Sequence, residues 1–160
     1  MPLIKSISCY HLLIITMFLI SCSGQRPNNL GIYNGHFSAC SSSPNCVSSD
    51  AKDLVHKVPP FYIDATTPNL WKLTAQAIQN MPRTQIILQT DDYLHAECTS
   101  AFFGFVDDLE LHLRTGEGII AVRSASRLGY SDFGINKKRI DNLNTNLIKL
   151  GIAKQFPPTN

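Results

Sequence analysis

The residues best placed to do chemistry lie in one run: Arg123-Ser124-Ala125-Ser126-Arg127, then GYSDFG at 129–134, then Asn136-Lys137-Lys138-Arg139. A strand pattern ends in this run and a helix pattern leaves it. Amides at a helix N-terminus attract anions, and guanidinium groups clamp phosphate or carboxylate oxygens in pairs. Arg123, Ser124, Ser126, Arg127, Asp132, Asn136 and Arg139 are therefore the candidate anion-binding residues. Their ligand would be a phosphate, a lipid head group or a carboxylate. One local rule is broken here. Lys137, Lys138 and Arg139 occupy the first helical turn, where the positive end of the dipole disfavours cations, and such conflicts often mark functional sites. The competing reading is internal: Asp107, Asp108, Glu110 and Asp132 neutralise these cations and simply hold the loop.

Catalysis would ask for more. Ser124, Ser126 and Ser131 offer hydroxyls, and Asp107, Asp108 and Asp132 offer acids, which would suit a serine/acid hydrolase. No G-x-S-x-G is present, and no histidine lies close in sequence to act as base. The reading leans away from an enzyme, with no catalytic residue assigned. His95, His112, Glu97 and Glu110 could meet on an outer sheet face, a weak basis for a metal. No cysteine or histidine pair stands at zinc-ligand spacing, so neither metal nor cofactor is expected.

Elements must hold these residues in place. Thr67 followed by Pro68 opens a helix, with Thr67 as N-cap. Leu70, Thr74, Ala77, Ile78 and Met81 form its stripe, with Trp71 beside it as a core residue, and Met81-Pro82 ends it. Thr84 to Thr90 reads as a strand and Asp91-Asp92 as a turn. Tyr93 to Phe102 alternates and puts Cys98 on the apolar face, where a buried free thiol is its role. Val106 to Leu113 alternates again, Thr115 to Gly118 makes a hairpin loop, and Ile119 to Arg127 returns. Matching the inward residues pairs Leu113 with Ile120 and Leu111 with Val122, and sets Glu110 opposite Arg123. Asn136 caps a closing helix striped by Ile140, Leu143, Leu147 and Leu150, and Gly151 ends it. Tyr130 and Phe133 read as loop anchors. A short extra strand fits near Val55 to Ile63. The expected fold is α+β: an antiparallel sheet of about four strands with two helices packed on one face.

The start of the chain concerns address. Lys5 precedes an apolar run from Cys9 to Ile20 that is too short to span a bilayer but suits a secretory signal. Leu19-Ile20-Ser21-Cys22 resembles the lipobox of bacterial lipoproteins. That resemblance implies cleavage before Cys22, diacylation of its thiol and a further acyl chain, such as palmitate, on the new amine. Two or more chains give stable anchoring. Ser23 after the cysteine implies, by the same likeness, export to the outer membrane, facing the periplasm of the bacterial cell envelope. Residues 1–21 are then signal peptide, 22–39 a flexible tether rich in Gly, Pro and Asn, and 40–160 one globular domain. The oxidising compartment favours a Cys40–Cys46 disulfide across the Ser-Pro-Asn loop, with a bridge from either to Cys98 as the alternative.

The segment CSSSPNCVSS at 40–49 also resembles the opening motif of the family known as domain of unknown function 1499. The likeness continues in FGFVDDLE at 103–110 and is strongest in VRSASRLGYSDFGINKKRI at 122–140, so it covers nearly all of the mature domain. That family carries no activity to transfer. The 160 residues hold 14 basic and 12 acidic side chains, a balance that gives no case for nucleic acid. The expected protein is a non-catalytic envelope lipoprotein held to a membrane by its lipid. It would bind an anionic or lipid ligand, or an envelope protein, through 123–139. A purely structural envelope role is the remaining alternative.

Overall fold

The computed structural model describes residues 24–155; Cys22 and the signal segment lie outside them. In chain order the elements are β1 (Ile32–Tyr33), β2 (His36–Phe37), β3 (Cys46–Ser48), β4 (Phe61–Ile63) and α1 (Leu70–Gln79). Then come β5 (Thr84–Gln89), β6 (Tyr93–Thr99), β7 (Val106–Arg114), β8 (Ile119–Ser126), α2 (Ile135–Lys149) and β9 (Ala153–Lys154).

Strand, not helix, dominates. The main sheet has seven strands in the order β5-β6-β7-β8-β4-β9, with β3 also on β8, and β1 and β2 form a separate ribbon. The expectation of about four strands is overturned: the sheet is a curled half-barrel of seven. The four long strands were visible because each runs for at least six residues. Of the other three, β4 falls within the short extra strand expected near Val55 to Ile63, while β3 and β9 were missed; all three run for only two or three residues, too few to display a period of two. They matter because β8 is long enough to seat β3 against Arg123–Ala125 and β4 against Ile119–Ile120 along a single edge.

The hairpin at the centre has the expected register. Leu113 faces Ile120, Leu111 faces Val122, and Glu110 faces Arg123. Gly118 closes its turn with φ 66, a left-handed conformation that glycine adopts without steric cost. The inward residues Leu94, Ala96, Leu109, Leu111, Ile120 and Val122 meet Ile78 of α1 and Ile140, Leu143 and Leu147 of α2 in one core. Burial of each such side chain contributes about 1.5–3 kcal/mol. Leu150, expected to continue the α2 stripe, is the C-cap and is exposed. Trp71 packs against the core and donates its indole N–H to Thr90 O at 2.8 Å. Cys40 and Cys46 are disulfide-bonded, and Cys98 is buried and free.

Both helices start two residues away from their expected caps. α1 begins behind Asn69, which is left-handed at φ 56, not behind Thr67; asparagine tolerates that region better than most residues. α2 begins behind Gly134 at φ 79 rather than Asn136. The largest departure is at the amino end. The stretch expected as a tether is packed from Gly24 onward. Phe37 is buried with Tyr93 and Ala121 on the face of the sheet opposite the helices, and its N–H donates to Asp50. Among the described residues no helix is long and apolar enough to cross a membrane.

Candidate functional site

Strand parity divides the predicted site in two. On β8, Ile120 and Val122 point to the core, so Ser124 and Ser126 share their side while Arg123 points the other way. Asp107 and Asp108, adjacent in β7, likewise part company.

On the outer side, Arg123 Nη1 donates to Glu110 Oε2 at 2.6 Å. Tyr93 OH and the Gly31 N–H both donate to Glu110 Oε1, at 2.8 and 2.7 Å. Arg127 reaches two acids at once: Nε to Asp108 Oδ2 at 2.9 Å, and Nη2 to Asp108 Oδ1 at 2.7 Å and Glu97 Oε1 at 2.6 Å. Arg26, from the covering segment, donates its Nε to the same Glu97 oxygen at 3.0 Å. His95 Nε2 sits 2.8 Å from Asp108 Oδ1. Arg26, Arg123 and Arg127 thus answer Glu97, Asp108 and Glu110 charge for charge. Asp108 and Glu110 are almost fully buried because residues 24–39 roof this face. The polar pattern that reads as a solvated surface is an interior.

Burial alone would raise the carboxyl pKa of Asp108, but hydrogen bonds from Arg127 and His95 outweigh it and hold the group below its ordinary value. Glu97 is lowered by Arg127 and Arg26, and Asp50 by Arg114, against the same burial. The sign follows directly. A depressed folded-state pKa contributes stability above the unfolded value and loses it as the pH falls through the folded one. The melting temperature is therefore expected to stay level near neutrality and to fall steeply below about pH 4, the ordinary carboxylate value. Calorimetry across that range checks it; a flat profile would mean that the network adds nothing.

His95, Glu97 and Asp108 offer ligand atoms within 4.8 Å of one another, as a metal would need. The Arg127 guanidinium already bonds both of these acids, so the positive charge of that position is supplied by the chain itself. His112, the other histidine of this face, stands opposite Tyr93 and Ala121 and accepts from Arg114 Nε at 3.0 Å.

The inner side carries a second network. Ser124 Oγ donates to Asn136 Oδ1 at 2.6 Å and accepts from Arg139 Nη1 at 3.0 Å. Arg139 Nη2 pairs with Asp107 Oδ2 at 2.6 Å. Asn136 Nδ2 donates to Ser126 Oγ and to Asn45 O, both at 3.0 Å, and Asn45 Nδ2 in turn donates to Gly129 O at 2.6 Å. This ties the disulfide loop to the start of α2. Asp132 occupies the helix N-terminus: its oxygens accept from the Gly134 N–H at 3.0 Å and the Asn136 N–H at 2.8 Å. That carboxylate takes the place an external anion would need. Neither Ser124 nor Ser126 is hydrogen-bonded to a histidine among the described residues, and Ser124 is fully buried.

Beside this network opens a groove of about 840 Å³, and nothing in the alternation of the strands foretells it. Its walls are the end of α1, the face of α2, and the loops after β6 and β8. Its lining is mostly apolar: Met81, Ala101, Phe102, Phe105, Leu128 and Ile135. Lys138 and Arg83 stand among them, with the paired Arg139 and Asp107 and the helix-capping Asp132. Phe102 and Phe133 are 93% and 94% exposed, and Tyr130 is 75% exposed. Tyr130 and Phe133 are thus not loop anchors; they project. The sequence signal for the groove was the run FFGF at 102–105, four residues of which three are aromatic, on a loop with no core to fill.

No curated protein and no solved structure matches the chain. One family model does, over residues 36–147, and its members are described only as proteins of unknown function. That span takes in the disulfide loop, the central strands, the inner network, the outer network apart from Arg26 and Gly31, and most of α2, so the chain belongs to the DUF1499 family.

Proposed function

We propose that the domain is a non-catalytic, lipid-binding module of the cell envelope, made as a lipoprotein on Cys22. Its groove receives the apolar chain of an anionic amphiphile. The observation that carries this reading is the groove itself: about 840 Å³, mostly apolar, open, and bordered by the cations Lys138 and Arg83. Sites for small apolar ligands commonly span about 300–1,000 Å³ with a few placed polar groups. Lys138 makes no ion pair among the described residues, whereas Arg139 is committed to Asp107. The head group would therefore meet Lys138 and Arg83 rather than Arg139.

Native mass spectrometry of the full chain, purified from membranes in mild detergent, tests this. A stoichiometric bound lipid is expected, and Asn142→Trp should abolish it. Asn142 is an exposed groove residue, so an indole there fills the groove without entering the core. A ligand-free mass for the natural chain would sink the proposal. A second reading, a small anion at Arg123, rests on one atom. Arg123 Nε is buried with no hydrogen-bond partner, and its side chain borders a cleft of about 320 Å³ beside the Cys40–Cys46 loop. A phosphate-sized adduct lost in Arg123→Lys would favour it over the lipid.

A further inference from the structure

The exposed apolar residues are not scattered. Phe102 and Phe103 belong to the loop between β6 and β7; Leu128, Tyr130 and Phe133 to the loop between β8 and α2; Ile135 to the first turn of α2. All lie at the same end of the sheet, where β6 finishes, β7 begins and β8 finishes. A contiguous apolar projection of this kind marks an interaction surface. The chain itself indicates what covers it. Gly24 packs at this end: a Cβ on it would meet Arg127 Cβ at 3.0 Å and Leu128 Cγ at 3.1 Å. Cys22 is two residues upstream, a reach of at most about 7 Å for an extended chain. With residues 24–39 folded onto the sheet, no slack separates the lipid-bearing residue from the aromatic end.

We propose that this end docks on the bilayer, with Phe102, Phe103, Tyr130 and Phe133 seated in the interfacial layer and the groove mouth opening onto the lipid. Aromatic side chains favour that layer. Lys138 and Arg83 beside the groove suit an anionic leaflet, with their stems on apolar surface and their charges toward head groups. A short covalent leash raises the effective concentration of the loops at the membrane, so individually weak insertions suffice. The docking rests on the lipoprotein reading for its leash, and on the exposed aromatics alone for its surface.

The test uses the full chain reconstituted into vesicles of three parts phosphatidylethanolamine to one part phosphatidylglycerol, with brominated acyl chains. The chain has one tryptophan, Trp71, bonded to Thr90 at the far end of the sheet. Introducing Phe102→Trp places a second indole in the proposed contact. Loss of the new indole's emission on bromination, with Trp71 emission retained, is the expected result. Equal quenching of both, or of neither, overturns the docking. The mass of the Cys22 peptide is read in the same sample. Quenching without a lipid on Cys22 upholds the docking and removes the lipoprotein reading. A lipid on Cys22 without quenching does the reverse.

Discussion

Replacing Arg127 with alanine should destabilise the domain by about 3–5 kcal/mol, because removing one partner of a buried ion pair strands the other. Two carboxylates would lose their guanidinium here: Asp108 would keep only His95, and Glu97 would keep Arg26. The cost is that of uncompensated charge, not of lost attraction alone. The double variant Arg127→Ala, Asp108→Ala should therefore be more stable than the single one, a sign that simple additivity forbids. Denaturant midpoints at unchanged slope measure both. The control is Lys137→Ala. Its pair with Asp141 has both side chains more than half exposed, and such pairs are worth about 0–1 kcal/mol. An Arg127→Ala variant no worse than Lys137→Ala would show that water reaches the network and that its burial is incomplete.

The second large effect concerns residues 24–38. Their composition invites deletion as linker, yet deletion is expected to cost about 4 kcal/mol. Phe37 leaves its contact with Tyr93 and Ala121, a burial worth about 1.5–3 kcal/mol. Glu110 loses the Gly31 N–H, and a hydrogen bond to a charged group is worth about 1.5–3 kcal/mol. Water would then enter the outer network. The shortened chain should be cleaved by protease far faster than the natural one, with new cuts in β6 and β7. Equal resistance would mean that the roof covers the network without supporting it.

The β7–β8 register was legible because Leu109, Leu111 and Leu113 alternate with polar residues, Ile120 and Val122 offer matching inward positions, and the loop between the strands is short. It correctly paired Glu110 with Arg123. The charge network was legible as a possibility, since four acids and the cations lay within one stretch. What sequence could not supply was the roof. Arg26 meets Glu97 across 71 positions and Gly31 meets Glu110 across 79, and Gly, Pro and Asn carry no periodic mark of such a partner. The two-residue strands were lost for a related reason: so short a strand is decided by its tertiary partner, not by local preference. Lipidation of Cys22 is wholly a matter of motif, and its residue lies outside the described structure.

One feature of the sheet bears on solubility. β5 stands at the end of the strand order and reads TQIILQ, six uncharged residues without proline, the composition of a segment that zips to copies of itself. Its pairing with β6 slips between Ile86 and Leu88. A bulge there twists the free edge and interrupts the row of amides and carbonyls that a second chain would need. Arg83 before the strand and Asp91-Asp92 after it add charge at both ends, where charged residues guard hydrophobic strands against association. The half-barrel can thus leave its edge open without inviting another molecule to close it.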